Sequence, residues 1–232
     1  MCNEACLEFG RRHLLPDEIA GKKVLEVGSM DVNGSLRAIV QRMAPSAYVG
    51  VDIATGPGVD VVCRVSELVA RFGEAAFDTV ISTEMLEHVR DWRVAVSNMK
   101  RVLKVGGTIV ITTRSPGFPY HGYPYDFWRY EPDDMRTIFA DMRLDALASD
   151  PLAPGVFLKA RKPDPFVERD LADVALHSVL ARRRAFSVTG RDLLIFTLRR
   201  ALFTAAGRVI PPSLKARIRA GLDRSARRVR PL

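Results

Sequence analysis

Between residues 22 and 113 the chain repeats one pattern: a short apolar run, a loop carrying Gly or Asp, then a stretch with apolar residues at helical spacing. The runs are "KKVLEVGS" (22–29), "AYVGVDIA" (47–54), "VDVVCRV" (59–65), "FDTVIS" (77–82) and "GGTIVITT" (106–113). After the first, "NGSLRAIVQRMA" (33–44) places Leu36, Ile39, Val40 and Met43 on one helical side. "DWRVAVSNMKRVLKVGG" (91–107) does the same with Trp92, Val96, Met99 and Leu103, and ends in Gly. Strands alternating with helices require a mostly parallel sheet covered on both faces. Beyond Pro132 a short helix leads to "RLDALASD" and "GVFLKARKP", two runs across a Pro/Gly turn that pair antiparallel. The sheet is expected to end near Arg161.

This reading divides the chain into a domain at residues 1–162 and a basic helical extension at 163–232. Charge follows the division. Residues 1–160 hold 18 Lys and Arg against 21 Asp and Glu, whereas 161–232 hold 17 against 6. Three basic helices are expected in the tail, at 167–186, 190–210 and 213–230. They suit packing on their own domain or a second copy, giving a homo-oligomer. They also suit an anionic membrane surface or, less well, nucleic acid. Packing is the favoured reading. Cys2, Cys6 and Cys63 are too few and too badly spaced for a disulfide framework or a structural zinc site. No stretch reads as a signal peptide or a membrane span. The expectation is a cytoplasmic protein, peripheral at the inner membrane surface if the tail binds lipid.

In open parallel sheets ligands bind at the carboxyl ends of the strands. The first strand end offers Glu26, Gly28, Ser29, Asn33 and Gly34; the second Asp52 and Ile53; the third Cys63, Arg64 and Val65; the fourth Ser82 and Thr83. "GSMDVNG" lacks the G-x-G-x-x-G spacing of a pyrophosphate cradle. Asp52, 24 residues after Gly28, can accept both hydroxyls of a ribose diol.

With these residues placed, "VLEVGSMDVNG", "YVGVDIA", "FDTVISTEMLEHV" and "MKRVLKVGGTIVITT" together resemble the class I S-adenosylmethionine-dependent methyltransferases, over roughly residues 20–161. The resemblance implies an α/β Rossmann-like seven-stranded sheet of order 3-2-1-4-5-7-6. It implies Glu26 and Gly28 near the methionine part of S-adenosylmethionine, and Asp52 on its ribose. Arg64 stands where many members carry an acidic residue facing adenine, so backbone groups near Cys63 and Val65 are left to recognise the base.

"ISTEMLEHV" (81–89) adds a second feature. If Glu84 opens a helical turn, Glu87 and His88 follow at i+3 and i+4 and all three share a face. Carboxylates crowded beside an imidazole need a shared cation or proton. Two carboxylates and an imidazole suit Mg²⁺ or a similar divalent ion. The loop "SPGFPYHGYPYDFWRY" (115–130) supplies His121 as a fourth ligand, and Tyr120, Tyr123, Tyr125, Asp126 and Trp128 as a substrate wall. The E-x-x-E-H cluster resembles metal-dependent O-methyltransferases of the ubiquinone pathway and the small-RNA 2′-O-methyltransferases. That resemblance implies a metal beside the sulfonium, holding adjacent hydroxyls, with His88, His121 and Glu87 as the catalytic set. Two other readings stay open: His88 or His121 as a plain general base, and a purely structural cluster. The acceptor expected is a sugar, a polysaccharide precursor or another vicinal diol. The rivals are RNA 2′-O-methylation and an inactive binding module.

Overall fold

The computed structural model describes residues 3–122 and 125–209, with side chains as far as Leu202. Two compact units result, Met1–Val188 and Thr189–Leu232.

The first unit is built on a seven-stranded sheet. Strands β1 (Lys23–Val27), β2 (Ala47–Asp52), β3 (Val61–Val62), β4 (Phe77–Thr83) and β5 (Leu103–Arg114) run parallel. A two-residue strand β6 (Trp128–Arg129) leaves the sheet, and β7 (Arg143–Ser149) and β8 (Gly155–Arg161) close it antiparallel. The order is β3-β2-β1-β4-β5-β8-β7. This is the expected 3-2-1-4-5-7-6 topology, the last two numbers raised by one because β6 intervenes along the chain. β1 lies centrally, pairing Glu26 with Gly50 on one side and Ile81 on the other. Its residues from Val24 to Val27 are buried. That burial explains why the run reads as continuous apolar rather than alternating.

The helices differ in length from their expected forms. α1 (Glu4–His13) packs Cys6 and Phe9 onto Val24, Ile81, Val110 and Phe157, and α2 (Pro16–Ile19) follows it. α3 spans only Arg37–Gln41. The loop before it is committed elsewhere: the Asp31 carboxylate accepts the Gly34 N–H at 2.8 Å, and Ser35 Oγ accepts the Arg37 N–H at 3.0 Å. α4 (Leu68–Phe72) lies in a segment with too few periodic apolar residues to stand out. α5 (Trp92–Val102) stops three residues short of the end expected just before Gly106, and residues 103–107 already belong to β5. The pairing of β5 with β4 shifts register there, and Gly106 supplies the left-handed turn, φ +76°.

The expected helix at 167–186 is a correction. After α6 (Pro132–Ile138) and the β7–β8 hairpin, the chain forms β9 (Leu176–Ser178) and β10 (Arg183–Ala185), which pair with β6 as a second sheet, β10-β9-β6. Residues 163–188 therefore belong to the first unit. The Arg93 guanidinium donates to the carbonyls of Leu171, Val174 and Phe186, and Arg90 donates to Val188 O. Helical periodicity cannot register such long-range partners.

The second unit contains α7 (Gly190–Val209), where a helix was expected. Thr189 and Asp192 cap it reciprocally: Thr189 Oγ1 accepts the Asp192 N–H and the Asp192 carboxylate accepts the Thr189 N–H. The expected helix at 213–230, like Cys2 and Tyr123, lies outside the described residues. No helix among the described residues is long and apolar enough to cross a membrane. Cys6 and Cys63 are buried.

Candidate active site

The strand order reverses at β1, which pairs with both β2 and β4, and the candidate groups gather at the carboxyl ends of these strands. At the end of β1 the chain turns through Gly28 at φ +78°. A Cβ there would lie 2.6 Å from the Met85 side chain, so both conformation and space demand glycine. The N–H groups of Gly28 and Ser29 donate to Val51 O at 2.9 and 3.0 Å, folding this loop against the end of β2. Asp52 there accepts the N–H groups of Met30 and Ile53 at 3.2 and 2.7 Å. The Glu26 carboxylate accepts from Tyr48 OH at 2.7 Å and Ser35 Oγ at 3.3 Å. Burial pushes it up to about 7, against the lowering effect of those two donors. Ser29 Oγ and Ser82 Oγ are buried with no hydrogen bond among the described residues. Thr83 is half-buried at the end of β4. Asn33, Gly34, Ile53 and Arg64 are exposed, Val65 is half-buried, and Cys63 is buried with its N–H on Asp52 O.

At the ends of β4 and β5 the structure brings together Glu87, His88 and His121. Each offers one ligand atom, all within 4.8 Å of one another. Glu87 is fully buried. Its Oε2 accepts from Thr113 Oγ1 at 2.8 Å, while its Oε1 makes no hydrogen bond among the described residues and faces His121 Nε2 at 3.5 Å and His88 Nε2 at 4.0 Å. Both rings are fixed from behind. His88 Nδ1 lies 2.9 Å from Tyr125 O, which can only accept, so Nδ1 carries a proton and Nε2 is the nitrogen turned toward Glu87. His121 Nδ1 lies 2.9 Å from Asp126 Oδ2, and Asp126 is pinned in turn by the Arg129 guanidinium, Nη2 to Oδ2 at 2.7 Å.

Charge follows this geometry. Burial alone would lower the His121 imidazole, but Asp126 and Glu87 outweigh it and lift it to about 9. Burial would raise Asp126, yet Arg129 and His121 hold it well below the usual carboxylate range. Glu87 is likewise held below its ordinary value by His121, His88 and Thr113, against the effect of burial.

Glu84 is not part of this group, which corrects the expected three-residue face. It adopts φ +55°, donates its N–H to Thr112 O, and pairs its carboxylate with Arg114; Cys6 Sγ donates to it at 3.6 Å. Only Leu86–His88 is helical, as one 3₁₀ turn. A left-handed residue followed by a three-residue turn breaks the i, i+3, i+4 relation that an α-helix beginning at Glu84 would give. Burial, with the Glu87 charge and Cys6 behind it, pushes the Glu84 carboxyl up to about 9, against Arg114.

The substrate wall is also reduced. Trp128 is fully buried in β6 and its Nε1–H donates to Arg90 O; Asp126 is fully buried on His121 and Arg129. Neither has surface to offer a ligand. Tyr120 and Tyr125 are half-buried, and the Tyr125 ring packs on Phe127 at 5.5 Å. Arg114, Thr113 and Arg129 were missed. Arg114 left a signal in "ITTRSP": a charge closing an apolar strand, buried to 2% exposure, must find acids, here Glu84 and Asp150.

Residues 18–111 match the family model for the methyltransferase domain. The chain superposes on the Burkholderia thailandensis 1,6-didemethyltoxoflavin-N1-methyltransferase with a TM-score of 0.56 at 18% identity, covering 70% of this chain and 80% of that one. The fold is that of a Rossmann-like methyltransferase. An S-adenosylmethionine-dependent methyltransferase from Mesorhizobium loti superposes with a TM-score of 0.54 at 14% identity, covering 69% and 99%. The matched residues run from α2 into β5, the part of the sheet whose strand ends carry the candidate site. The ubiquinone biosynthesis O-methyltransferases of Idiomarina loihiensis and Rhizobium etli CIAT 652 are 34% and 32% identical over 124 residues. That match covers 48% of this chain in both cases, and the chain spans about half the length of these curated relatives.

Proposed function

We propose that the chain is an S-adenosylmethionine-dependent O-methyltransferase in which Glu87, His88 and His121 ready an acceptor hydroxyl, aided by a divalent ion. The acceptor class is a small molecule with adjacent oxygens: a sugar, a polysaccharide precursor or another vicinal diol. The relatives named for O-methyl transfer in ubiquinone biosynthesis support oxygen as the methyl acceptor.

The cofactor fits the shelf formed by β1 and β2. Gly28 leaves its backbone open, Glu26 can face an ammonium group, Asp52 can accept a ribose diol, and Ser29 Oγ is buried with no hydrogen bond among the described residues. When bound, the cofactor supplies an electrophilic methyl group on a sulfonium. The acceptor oxygen forms the new C–O bond as the S–C bond breaks, and the hydroxyl proton must leave. An alcohol holds that proton tightly at neutral pH, so the residues beside the strand ends must polarise the oxygen and take the proton.

One observation carries the reading. Two imidazoles, each anchored through Nδ1, turn Nε2 toward one buried carboxylate oxygen that makes no hydrogen bond among the described residues. Histidines that hold metals are fixed in this way, by a carbonyl or carboxylate on the far nitrogen. Without an ion, Asp126 and Glu87 hold the proton on His121, so the general-base reading falls to His88 Nε2.

The test is methyl transfer to diol-bearing glycosides and ubiquinone precursors, with RNA as a third arm, in the presence and absence of chelator. Glu87→Ala should lower turnover by at least about 100-fold while S-adenosylmethionine binding stays intact. Full activity of Glu87→Ala in chelator would remove both the ion and the carboxylate from the mechanism. Turnover of RNA alone would move the acceptor to a ribose 2′-hydroxyl.

A further inference from the structure

We infer that the ion taken by Glu87, His88 and His121 is of the zinc, cobalt or iron class and that Mg²⁺ is disfavoured, because Arg114 withdraws Glu84 from the ligand set. The inference rests on the metal-assisted reading above and names the ion that reading leaves open.

The argument is one of donor count and type. With Glu84 included, the site would offer two carboxylates and suit a hard, oxygen-seeking ion. Without it, one carboxylate and two imidazoles remain. Imidazole nitrogen suits zinc, iron and cobalt, whereas Mg²⁺ dehydrates reluctantly and prefers oxygen. Two histidines with one carboxylate leave further coordination positions for the oxygens of an acceptor.

Glu84 is held away on several sides. Arg114 pairs with its Oε2, Cys6 donates to its Oε1, and its own N–H is fixed on Thr112 O. Arg114 itself is tied to Asp150 Oδ2 at 3.1 Å and lies over the Phe118 ring, its guanidinium carbon 4.2 Å from the centroid. Asn3 donates to the same Asp150 oxygen at 2.7 Å. Recruiting Glu84 as a ligand would take from a guanidinium that is 2% exposed one of its two carboxylates, leaving it Asp150, and a weakly bound Mg²⁺ gives little in return.

The full chain, stripped with chelator, is titrated calorimetrically with Co²⁺ and separately with Mg²⁺, and Co²⁺ binding is followed by visible absorption. The expected result is one Co²⁺ per chain, with Mg²⁺ at least about 100-fold weaker. Glu87→Gln should weaken Co²⁺ by at least about 100-fold, whereas Glu84→Gln should change it by less than about 3-fold. Mg²⁺ binding within about 10-fold of Co²⁺, or equal losses in the two variants, would overturn this inference while leaving a metal site in place. Binding of neither ion would overturn the metal-assisted reading itself, and this inference with it.

Discussion

His121 is held at both ring nitrogens by acids, Asp126 behind and Glu87 in front, and that residue-scale arrangement makes one prediction concrete. Asp126→Asn keeps a hydrogen-bonding shape but removes the charge that fixes the ring. Metal affinity should fall about 10- to 100-fold by calorimetry. The fold should survive, because Arg129 keeps the carbonyls of Phe118, Pro119 and Trp128 as partners. Unchanged affinity would show that Asp126 does not orient the ligand. Glu26 gives a pH prediction. Below about 4.5 its carboxyl is protonated in the folded and the unfolded chain, so it costs nothing. As pH rises the unfolded chain releases the proton first and the folded chain holds it to about 7. Stability must therefore fall by about 3 kcal/mol across that window and stay lower above it. Glu26→Gln lacks this loss, so denaturant melts at pH 4.5 and pH 8 should show the variant gaining on the parent chain at the higher pH. Glu87 and the two histidines could be read in the sequence because their residue types are rare beside a buried strand. The exclusion of Glu84 could not, because its partner Arg114 lies 30 positions away and meets it only once β4 and β5 are paired.

At the scale of elements, the strands that position the site were legible and the turns between them were not. β1, β2, β4, β5, β7 and β8 fall where apolar runs place them, since each run but β7, which is half-buried to exposed, contributes buried residues to one sheet. The segment 167–186 reads as helix by composition yet supplies two short strands, because β6 offers an edge and the two arginines at the start of α5 offer donors. Arg93 satisfies three carbonyls from that segment at once. Arg93→Ala should therefore destabilise the chain by about 3 kcal/mol in chemical denaturation and speed proteolysis within residues 171–188. A variant as stable and as protease-resistant as its parent would show that β9 and β10 hold the segment by themselves.

For the whole molecule, the boundary between units is the testable quantity. A chain ending at Val188 should fold with the near-ultraviolet dichroism of the first unit and keep S-adenosylmethionine binding. A chain ending at residue 162 loses β9 and β10, uncovers β6 with its buried Trp128 and Arg129, and should aggregate. Equal behaviour of the two would restore the shorter domain. The same Val188 truncation tests the tail. Residues 189–232 carry 11 Lys and Arg against 2 Asp and Glu, and co-sedimentation with anionic vesicles compares the full chain with the truncated one. Retention of the full chain alone would make the tail a lipid contact; equal partitioning removes that role and leaves packing, read by sedimentation velocity, or nucleic-acid binding, read by its salt dependence.

What the amino-acid order determined by itself was everything that depends on near neighbours: alternation of strand and helix, the glycine turn after β1, and the concentration of acids and imidazoles after β4. Burial and spacing are local properties, and a sheet sums them. Tertiary structure alone decided which of those side chains share a site. A carboxylate turns toward whichever cation it meets, and only the assembled sheet sets Arg114 against Glu84 and leaves Glu87 to the two histidines.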